Sequence, residues 1–247
     1  YRSPSNQGYL LILILSFVFT QLLIYIYVFF KLNISFENLK IRMTEIWSYN
    51  KSFGLNIYIG SVFSVGVAQS TGILVSYFSQ DNSFVGYYTL ALMLTAPLMM
   101  IPNTIATIYY KEFVKHSKIP VKVAKYTFIT TFVASLVLLI LNPLIITPIF
   151  GDKFVVVEYL FYIVAIGSLF YGFGDFLNRY LGAHGRGADL RNSAFIVGIC
   201  LLLFNSLLVP LFGVFGAAFS FLLAGLSYFL TMYYYYSQYI RKPISWL

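Results

Sequence analysis

Long apolar runs recur along the whole chain, and they constrain the fold more than any other feature. Hydrophobic residues make up 60% of the sequence and charged residues 10%, whereas a typical soluble domain carries about 25% charged residues. Each run is about 20 residues long, which is enough for a helix to cross a hydrocarbon core of about 30 Å. The sequence therefore predicts an all-α, polytopic transmembrane helical bundle.

About seven such runs can be delimited as membrane spans. Their predicted bounds are 8–30, 53–78, 85–110, 123–150, 155–181, 193–212 and 214–239. The connections after the second, fourth and sixth spans are short, and the last of these is Phe212-Gly213. Each of these three spans is therefore expected to form an antiparallel hairpin with its successor. Because the sequence begins at Tyr1 without a methionine, we expect it to be a fragment of a longer protein.

Lysine and arginine residues are concentrated in alternate connections. All but two of the 16 come after the first, third or seventh span, or lie at the end of the fifth span and beyond it, and the exceptions are Arg2 and Lys153. Cytoplasmic loops of membrane proteins carry the excess of basic residues, so these connections and the C-terminus are predicted to be cytoplasmic. The net charge of +8 is thus explained by membrane topology, and we expect no nucleic-acid partner.

The longest connection, residues 31–52, is predicted to be a cytoplasmic linker between the first span and a six-span unit, 53–240, with a short tail, 241–247. Apolar residues recur in the linker at roughly helical spacing: Ile34, Phe36, Leu39, Met43, Ile46 and Trp47. This pattern is typical of an amphipathic helix that lies on the inner leaflet. An ordinary ordered loop is the alternative.

The fifth span contains the only acidic residue that is placed inside an apolar run rather than at its edge. Asp175 shares a helical face with Tyr171, Asn178 and Arg179. A charge inside a membrane helix costs about 2.5–3.5 kcal/mol on insertion scales, so it tends to be retained where it pairs or has a function. Either Asp175 and Arg179 form an ion pair within the helix, or they face a cavity. In a cavity, Arg179 would bind an anionic group, and Asp175 would orient it or carry a coupling proton.

Polar residues at helical spacing in other spans indicate either close helix packing or a water-filled cavity. Asn142 in the fourth span and Gln69 in the second span are the further candidates for lining such a cavity. Pro97 and Pro143 lie within the third and fourth spans and are candidate hinges. Each proline removes a backbone hydrogen bond, and interrupted helices are common in transporters.

No pattern typical of an enzyme is present, and we expect no catalytic residue, metal or cofactor. His116 and His184 lie in different connections and Cys200 lies within a span, so they do not have the spacing of metal ligands. The run 182–187 (GAHGRG) looks like a phosphate cradle, but it follows a membrane helix rather than a strand. It is interpreted as a flexible cytoplasmic turn.

Three stretches resemble motifs of polysaccharide exporters. They are residues 85–91 (VGYYTLA), which open a helix after a short outer turn, the cytoplasmic turn at 177–194, and the hairpin at 205–218 (NSLLVPLFGVFGAA). The hairpin is the most specific of the three. From about residue 53 onward, the chain resembles the multidrug/oligosaccharidyl-lipid/polysaccharide (MATE-like) flippase superfamily, and within it the O-antigen, Wzx-like polysaccharide flippases.

This resemblance implies two six-helix bundles around a central cavity with alternating access. It implies transport of undecaprenyl pyrophosphate-linked oligosaccharide, such as an O-antigen repeat unit, across the bacterial inner membrane. Residues 1–30 would then hold the last helix of a truncated first bundle, and residues 53–240 would form the second bundle. The implied partners are the lipid bilayer, the lipid-linked oligosaccharide and, as a further candidate, the polysaccharide polymerase machinery.

One feature departs from the family pattern. Members often carry a charged residue midway along the helix that corresponds to the second span, where this chain has Gln69-Ser70-Thr71-Gly72. The charge that binds cargo would then come from Arg179 or from the first bundle. Two alternatives remain open at this point: a small-molecule or cation antiporter of the same superfamily, which would need Asp175, and a membrane scaffold that transports nothing.

Overall fold

The computed structural model describes residues 6–31 and 38–241, and these residues form helices joined by short turns, without strands. The chain divides into two compact units, Tyr1–Trp47 and Ser48–Leu247. Six helices of the described residues are long and apolar enough to cross a membrane. The prediction of an all-α, polytopic membrane bundle is confirmed.

The first unit contains α1 (Asn6–Lys31) and most of α2 (Leu39–Tyr49). α2 falls within the predicted linker, and its spacing places four exposed apolar side chains on one face: Leu39, Met43, Ile46 and Trp47. The linker thus contains a helix, while its position on the inner leaflet stays a prediction. Ile34 and Phe36, which were part of the same pattern, lie outside the described residues, as does the predicted tail beyond residue 241.

The second unit begins with the last two residues of α2, and a π-helical turn, Asn50–Gly54, then leads into α3. Its helices are α3 (Leu55–Ser79), α4 (Ser83–Ile108), α5 (Tyr110–Lys115), α6 (Val121–Phe150), α7 (Val155–Ala183) and α8 (Gly187–Arg241), with a 3-10 turn, Asp152–Phe154, before α7. The short helix α5 was not predicted. It lies in the connection after the third span. Because it contains basic residues, it does not form an apolar run, and the sequence pattern did not indicate a helix there.

α8 is one continuous element of 55 residues that is broken at Gly213. At a rise of about 1.5 Å per residue it would be roughly 80 Å long, far more than a hydrocarbon core of about 30 Å. Gly213 has φ 55° and ψ −130°, a conformation open essentially to glycine alone. Val209, Val214 and Ala217 belong to one buried apolar cluster, and the backbone at Leu208 and Val209 lies against Gly216, so the two arms, 187–212 and 214–241, fold back on each other. The predicted turn at Gly213 is confirmed.

α7 lies at the centre of the second unit, packed against α4 and α8. A Cβ atom added to Gly172 would lie 3.2 Å from the Cα of Met99 on α4, and one added to Gly225 on α8 would lie 2.8 Å from the carbonyl oxygen of Gly167. Glycine at these points lets the backbones of neighbouring helices approach closely, as is common between membrane helices. These two close approaches let α4 and α8 pack directly against α7 on two sides.

α3 packs mainly against α8, and a buried polar contact joins the two helices. The Asn205 side-chain nitrogen donates to the Thr71 hydroxyl at 2.8 Å, and both side chains are almost fully buried. A hydrogen bond between polar groups in an apolar interior avoids the cost of leaving either unpaired. This pair fixes the register of α3 along the first arm of α8.

Asp81 closes the turn between α3 and α4. Its Oδ1 accepts a hydrogen bond from the backbone N–H of Ser83 at 2.8 Å. This bond, together with one from the Ser83 side chain, lowers the pKa of the Asp81 carboxyl from its ordinary value, because both bonds favour the charged form. The turn is therefore held best when Asp81 is ionised.

We expect Asp81→Asn to lower the melting temperature at neutral pH but not in acid. A group whose pKa is lower in the folded state stabilises the fold above its unfolded pKa of about 3.9 and loses this contribution as the pH falls through the folded value. Thermal unfolding of both proteins in detergent, from about pH 7 to about pH 3, checks this expectation. A difference in melting temperature that persists unchanged in acid would contradict it.

Candidate functional site

A cavity of about 420 Å³ lies within the second unit, between α3, α4, α7 and α8. This volume is within the usual range of about 300–1,000 Å³ for sites that bind small molecules. Its polar lining comes from Ser61, Ser64 and Thr71 of α3, Tyr88 of α4, Tyr171, Asp175 and Asn178 of α7, and Tyr228 of α8. Most of the remaining lining is aliphatic or aromatic, so the polar groups stand out as a defined set.

Three of these polar side chains form a hydrogen-bonded chain across α7 and α8. The Tyr228 hydroxyl donates to Asp175 Oδ1 at 2.9 Å and accepts from the side-chain nitrogen of Asn178 at 3.0 Å. Gly174 makes room for this arrangement, since a Cβ atom there would lie 2.6 Å from Cε1 of the Tyr228 ring. Asp175 is therefore held by a neutral partner on another helix.

Arg179 does not form the ion pair with Asp175 that was one of the two alternatives from the sequence. Its Nε donates instead to Asn103 Oδ1 on α4 at 2.9 Å, and the arginine side chain is exposed. Asn103 lies four residues after Met99, which lines the cavity, as Arg179 lies four residues after Asp175. Four residues make about one helical turn. The Arg179–Asn103 pair thus lies one turn from the cavity, toward the predicted cytoplasmic ends of α4 and α7.

Four aromatic side chains line the same cavity as the Asp175 carboxylate, and we call them the aromatic wall: Tyr88, Tyr171, Phe221 and Tyr228. The ring of Tyr171 lies 4.8 Å from that of Phe221 and 5.7 Å from that of Tyr228. Tyr88, which is 6% exposed, lines the cavity from α4. The cavity therefore offers flat aromatic faces as well as hydroxyl groups.

Tyr88 and Tyr228 were not singled out from the sequence, although both line the cavity. Tyrosine is frequent in this chain, with 22 copies, and most tyrosines of a membrane protein suit the interfacial belts. One signal was available for Tyr228. It lies seven residues after Phe221 on the same helical face, within an apolar run where a hydroxyl group needs a partner.

The structure places the remaining predicted residues away from the cavity lining. The side-chain nitrogen of Asn142 donates to the carbonyl oxygen of Glu158 at 3.2 Å, which joins α6 to α7. Gln69 is exposed on α3. α4 and α6 continue as helices through Pro97 and Pro143, respectively. A part for Asn142 or Gln69 in cargo binding, and for the two prolines as hinges, stays a prediction.

No family model, curated protein or solved structure matches the chain. The resemblance to the polysaccharide flippases therefore rests on the three sequence stretches alone. What the geometry itself establishes is a helical bundle whose apolar helices suit a lipid bilayer, with a partly open cavity that brings together Asp175, Asn178 and Tyr171.

Proposed function

We propose that the chain is the C-terminal part of a flippase that moves lipid-linked oligosaccharide across the bacterial inner membrane, with its C-terminus in the cytoplasm. The observation that supports this proposal is the cavity, which carries a set of polar groups in a largely apolar lining and has Arg179 one helical turn away. Undecaprenyl pyrophosphate-linked sugars combine many hydroxyl groups with an anionic pyrophosphate. A cavity rich in hydroxyl groups beside a cation offers complementary chemistry to both parts.

The sugar portion would be recognised by the cavity lining. Ser61, Ser64 and Thr71 carry hydroxyl groups, and Asn178 carries an amide, all of which can exchange hydrogen bonds with sugar hydroxyls. The aromatic wall provides flat apolar surface for the ring faces of a sugar. A site that combines apolar surface with a few convergent polar groups is typical of ligand binding.

The pyrophosphate would be recognised by Arg179. Its planar guanidinium group suits bidentate hydrogen bonds to phosphate oxygens. In the described part of the chain, its hydrogen bond goes to the neutral amide of Asn103 and no carboxylate forms a salt bridge with it. A phosphate group could therefore replace Asn103 without breaking an ion pair. The predicted cytoplasmic position of Arg179 corresponds to the side from which the cargo enters.

A small-molecule antiporter is the second candidate, and one observation favours it. Asp175 is the only carboxylate among the described residues that line the cavity, and aromatic rings of Tyr171 and Tyr228 lie beside it. A carboxylate near aromatic faces suits a cationic ligand, because both attract positive charge. In that case Asp175, rather than Arg179, would be indispensable.

One pair of variants separates the two candidates. For a flippase, Arg179→Ala should lower surface polysaccharide by about tenfold to a hundredfold, which corresponds to the loss of a charge-assisted hydrogen bond. For an antiporter, Asp175→Asn should abolish resistance to cationic drugs such as ethidium, while Arg179→Ala leaves it intact. Cells that lack the native copy would be complemented with each variant, and polysaccharide on their surface would be measured by immunoblot at matched protein level.

The control for charge removal is Arg241→Ala, which neutralises an exposed arginine at the end of α8 and should leave export unchanged. Normal export in Arg179→Ala would remove Arg179 from the site. If neither Arg179→Ala nor Asp175→Asn changes polysaccharide export or drug resistance, both transport functions are contradicted, and the scaffold alternative is favoured.

A further inference from the structure

The connection between α4 and α6 carries a cluster of lysines that the proposed transport function does not use. We name residues 109–125 the lysine elbow. It includes α5 and the first turn of α6, and its five lysines are all exposed: Lys111, Lys115, Lys118, Lys122 and Lys125. The one acidic residue of the elbow, Glu112, lies 3.9 Å from Lys115, and both side chains are largely exposed. Five lysines and one glutamate leave the elbow with a formal net charge of +4 (5 − 1, with His116 neutral), so the elbow is strongly cationic.

The lysine elbow is packed and hydrogen-bonded against α7. Phe113 is fully buried, and its ring packs 5.7 Å from that of Phe176 and 5.5 Å from that of Tyr180. The Tyr180 hydroxyl donates to the carbonyl oxygen of His116 at 3.2 Å. These contacts order the elbow before any partner binds, which reduces the entropy that binding would cost.

A hydrogen bond to α8 also holds the turn that precedes α6. The backbone N–H of Ile119 donates to the Tyr236 hydroxyl at 3.3 Å. No side chain in the described part of the chain caps the start of α6 after Pro120, so backbone N–H groups at this end remain open to an anion. The start of α6 and the neighbouring lysines therefore both attract negative charge.

The position of the lysine elbow along α6 matches the depth of lipid headgroups. Directly after Lys125, α6 exposes large apolar side chains, with Phe128 58% and Phe132 53% exposed. Ile108, at the end of α4, is 71% exposed. Apolar side chains that are exposed on a span-length helix suit contact with hydrocarbon. The lysines thus lie at the boundary between the apolar part of the helices and the aqueous phase, where long basic side chains reach the headgroups.

We propose that the lysine elbow binds the phosphate groups of anionic phospholipids in the leaflet at this end of the bundle. Clusters of four to eight basic residues next to a membrane helix are typical of surfaces that bind anionic lipid. The exposed apolar faces of α4 and α6 suit contact with a bilayer. Phospholipid headgroups are therefore the phosphate groups that would lie next to these lysines. This inference does not rest on the proposed transport function, since none of the five lysines lines the cavity.

Binding of fluorescent phosphatidylglycerol and phosphatidylcholine to the purified full chain in neutral detergent tests the proposal. Wild type should prefer phosphatidylglycerol by about tenfold or more. Replacing all five lysines with glutamine should remove this preference, whereas replacing all five with arginine should retain it. Lys153→Gln, which alters an exposed lysine in the turn that follows the opposite end of α6, is the control and should bind as wild type does.

Three outcomes would overturn the proposal. One is an unchanged lipid preference in the glutamine variant. Another is displacement of phosphatidylglycerol by inorganic phosphate at equal concentration, which would assign the elbow to free phosphate. The third is stronger binding of an RNA oligonucleotide than of fluorescent phosphatidylglycerol in the same detergent. If the variant with five glutamines does not fold, a variant with glutamine at Lys118, Lys122 and Lys125 alone replaces it. Its preference for phosphatidylglycerol should fall by about a factor of three or more.

Discussion

Replacing Gly216 with alanine is expected to cost about 3 kcal/mol or more of folding free energy. Gly216 lies in the first turn after the break of α8, where the two arms meet. A Cβ atom at this position would clash with the carbonyl group of Leu208 and would lie 2.8 Å from the backbone nitrogen of Val209. Because these obstacles are backbone atoms, no side-chain rotation can relieve them. The arms would have to separate, and contacts across the break, such as Val209 with Ala217, would weaken.

The same substitution at Gly66 is the matched control. Gly66 is also a glycine within a helix, but a Cβ atom there would meet no neighbour within 4 Å. Alanine should be neutral at Gly66 or stabilise the protein by about 0.5–1 kcal/mol, because glycine is the poorer helix former. Unfolding of both variants in detergent, followed by helical circular dichroism, measures the two effects. Equal stability of the two variants would contradict the close contact between the arms.

If the proposed transport function holds, replacing Ala68 with tryptophan should reduce transport about tenfold or more without destabilising the bundle. Ala68 lines the cavity from α3, so an indole ring at this position would occupy space that cargo needs. The Ala68 side chain is exposed, and substitutions at exposed positions usually change stability by less than about 0.5 kcal/mol. The expected loss of transport therefore reflects a blocked cavity rather than a misfolded protein.

The control for added bulk is Ala124→Trp, on the exposed surface of α6 and outside the cavity lining. Surface polysaccharide and cationic drug resistance would be measured in the same complemented cells, at equal protein level. Both tryptophan variants should fold, and Ala68→Trp alone should lose activity. Full activity in Ala68→Trp would show that cargo does not pass through this cavity, and equal losses in both variants would indicate a general effect of added bulk.

The fold was largely predictable from local properties of the sequence. Apolar runs define the spans, because insertion into lipid depends on the summed hydrophobicity of about 20 consecutive residues. The turn at Gly213 was predictable for a similar reason, since a glycine between two apolar runs is the residue that can adopt a strained conformation there. The helix α5 was missed because its six residues, YKEFVK, are too short and too charged to show an apolar period.

The candidate site was predictable only in part. Helical spacing correctly placed Tyr171, Asp175 and Asn178 on one face of α7, and all three line the cavity. Spacing cannot tell which other helix completes that face, because each helix reaches its neighbours through contacts that are remote in sequence. Asn142 shows the limit: its polar side chain faces the α7 backbone rather than the cavity.

By itself, the sequence determined that this chain is a bundle of membrane helices, where its spans lie and which face of α7 is polar, because each of these follows from residues close together in the chain. Only the tertiary structure decided the partners of the two charged residues on that face. Asp175 is bound by Tyr228, 53 positions away, and Arg179 by Asn103, 76 positions away. The physical reason is packing: the bare backbone at Gly174 admits the Tyr228 ring against α7, and that contact gives the Asp175 carboxylate a partner on another helix.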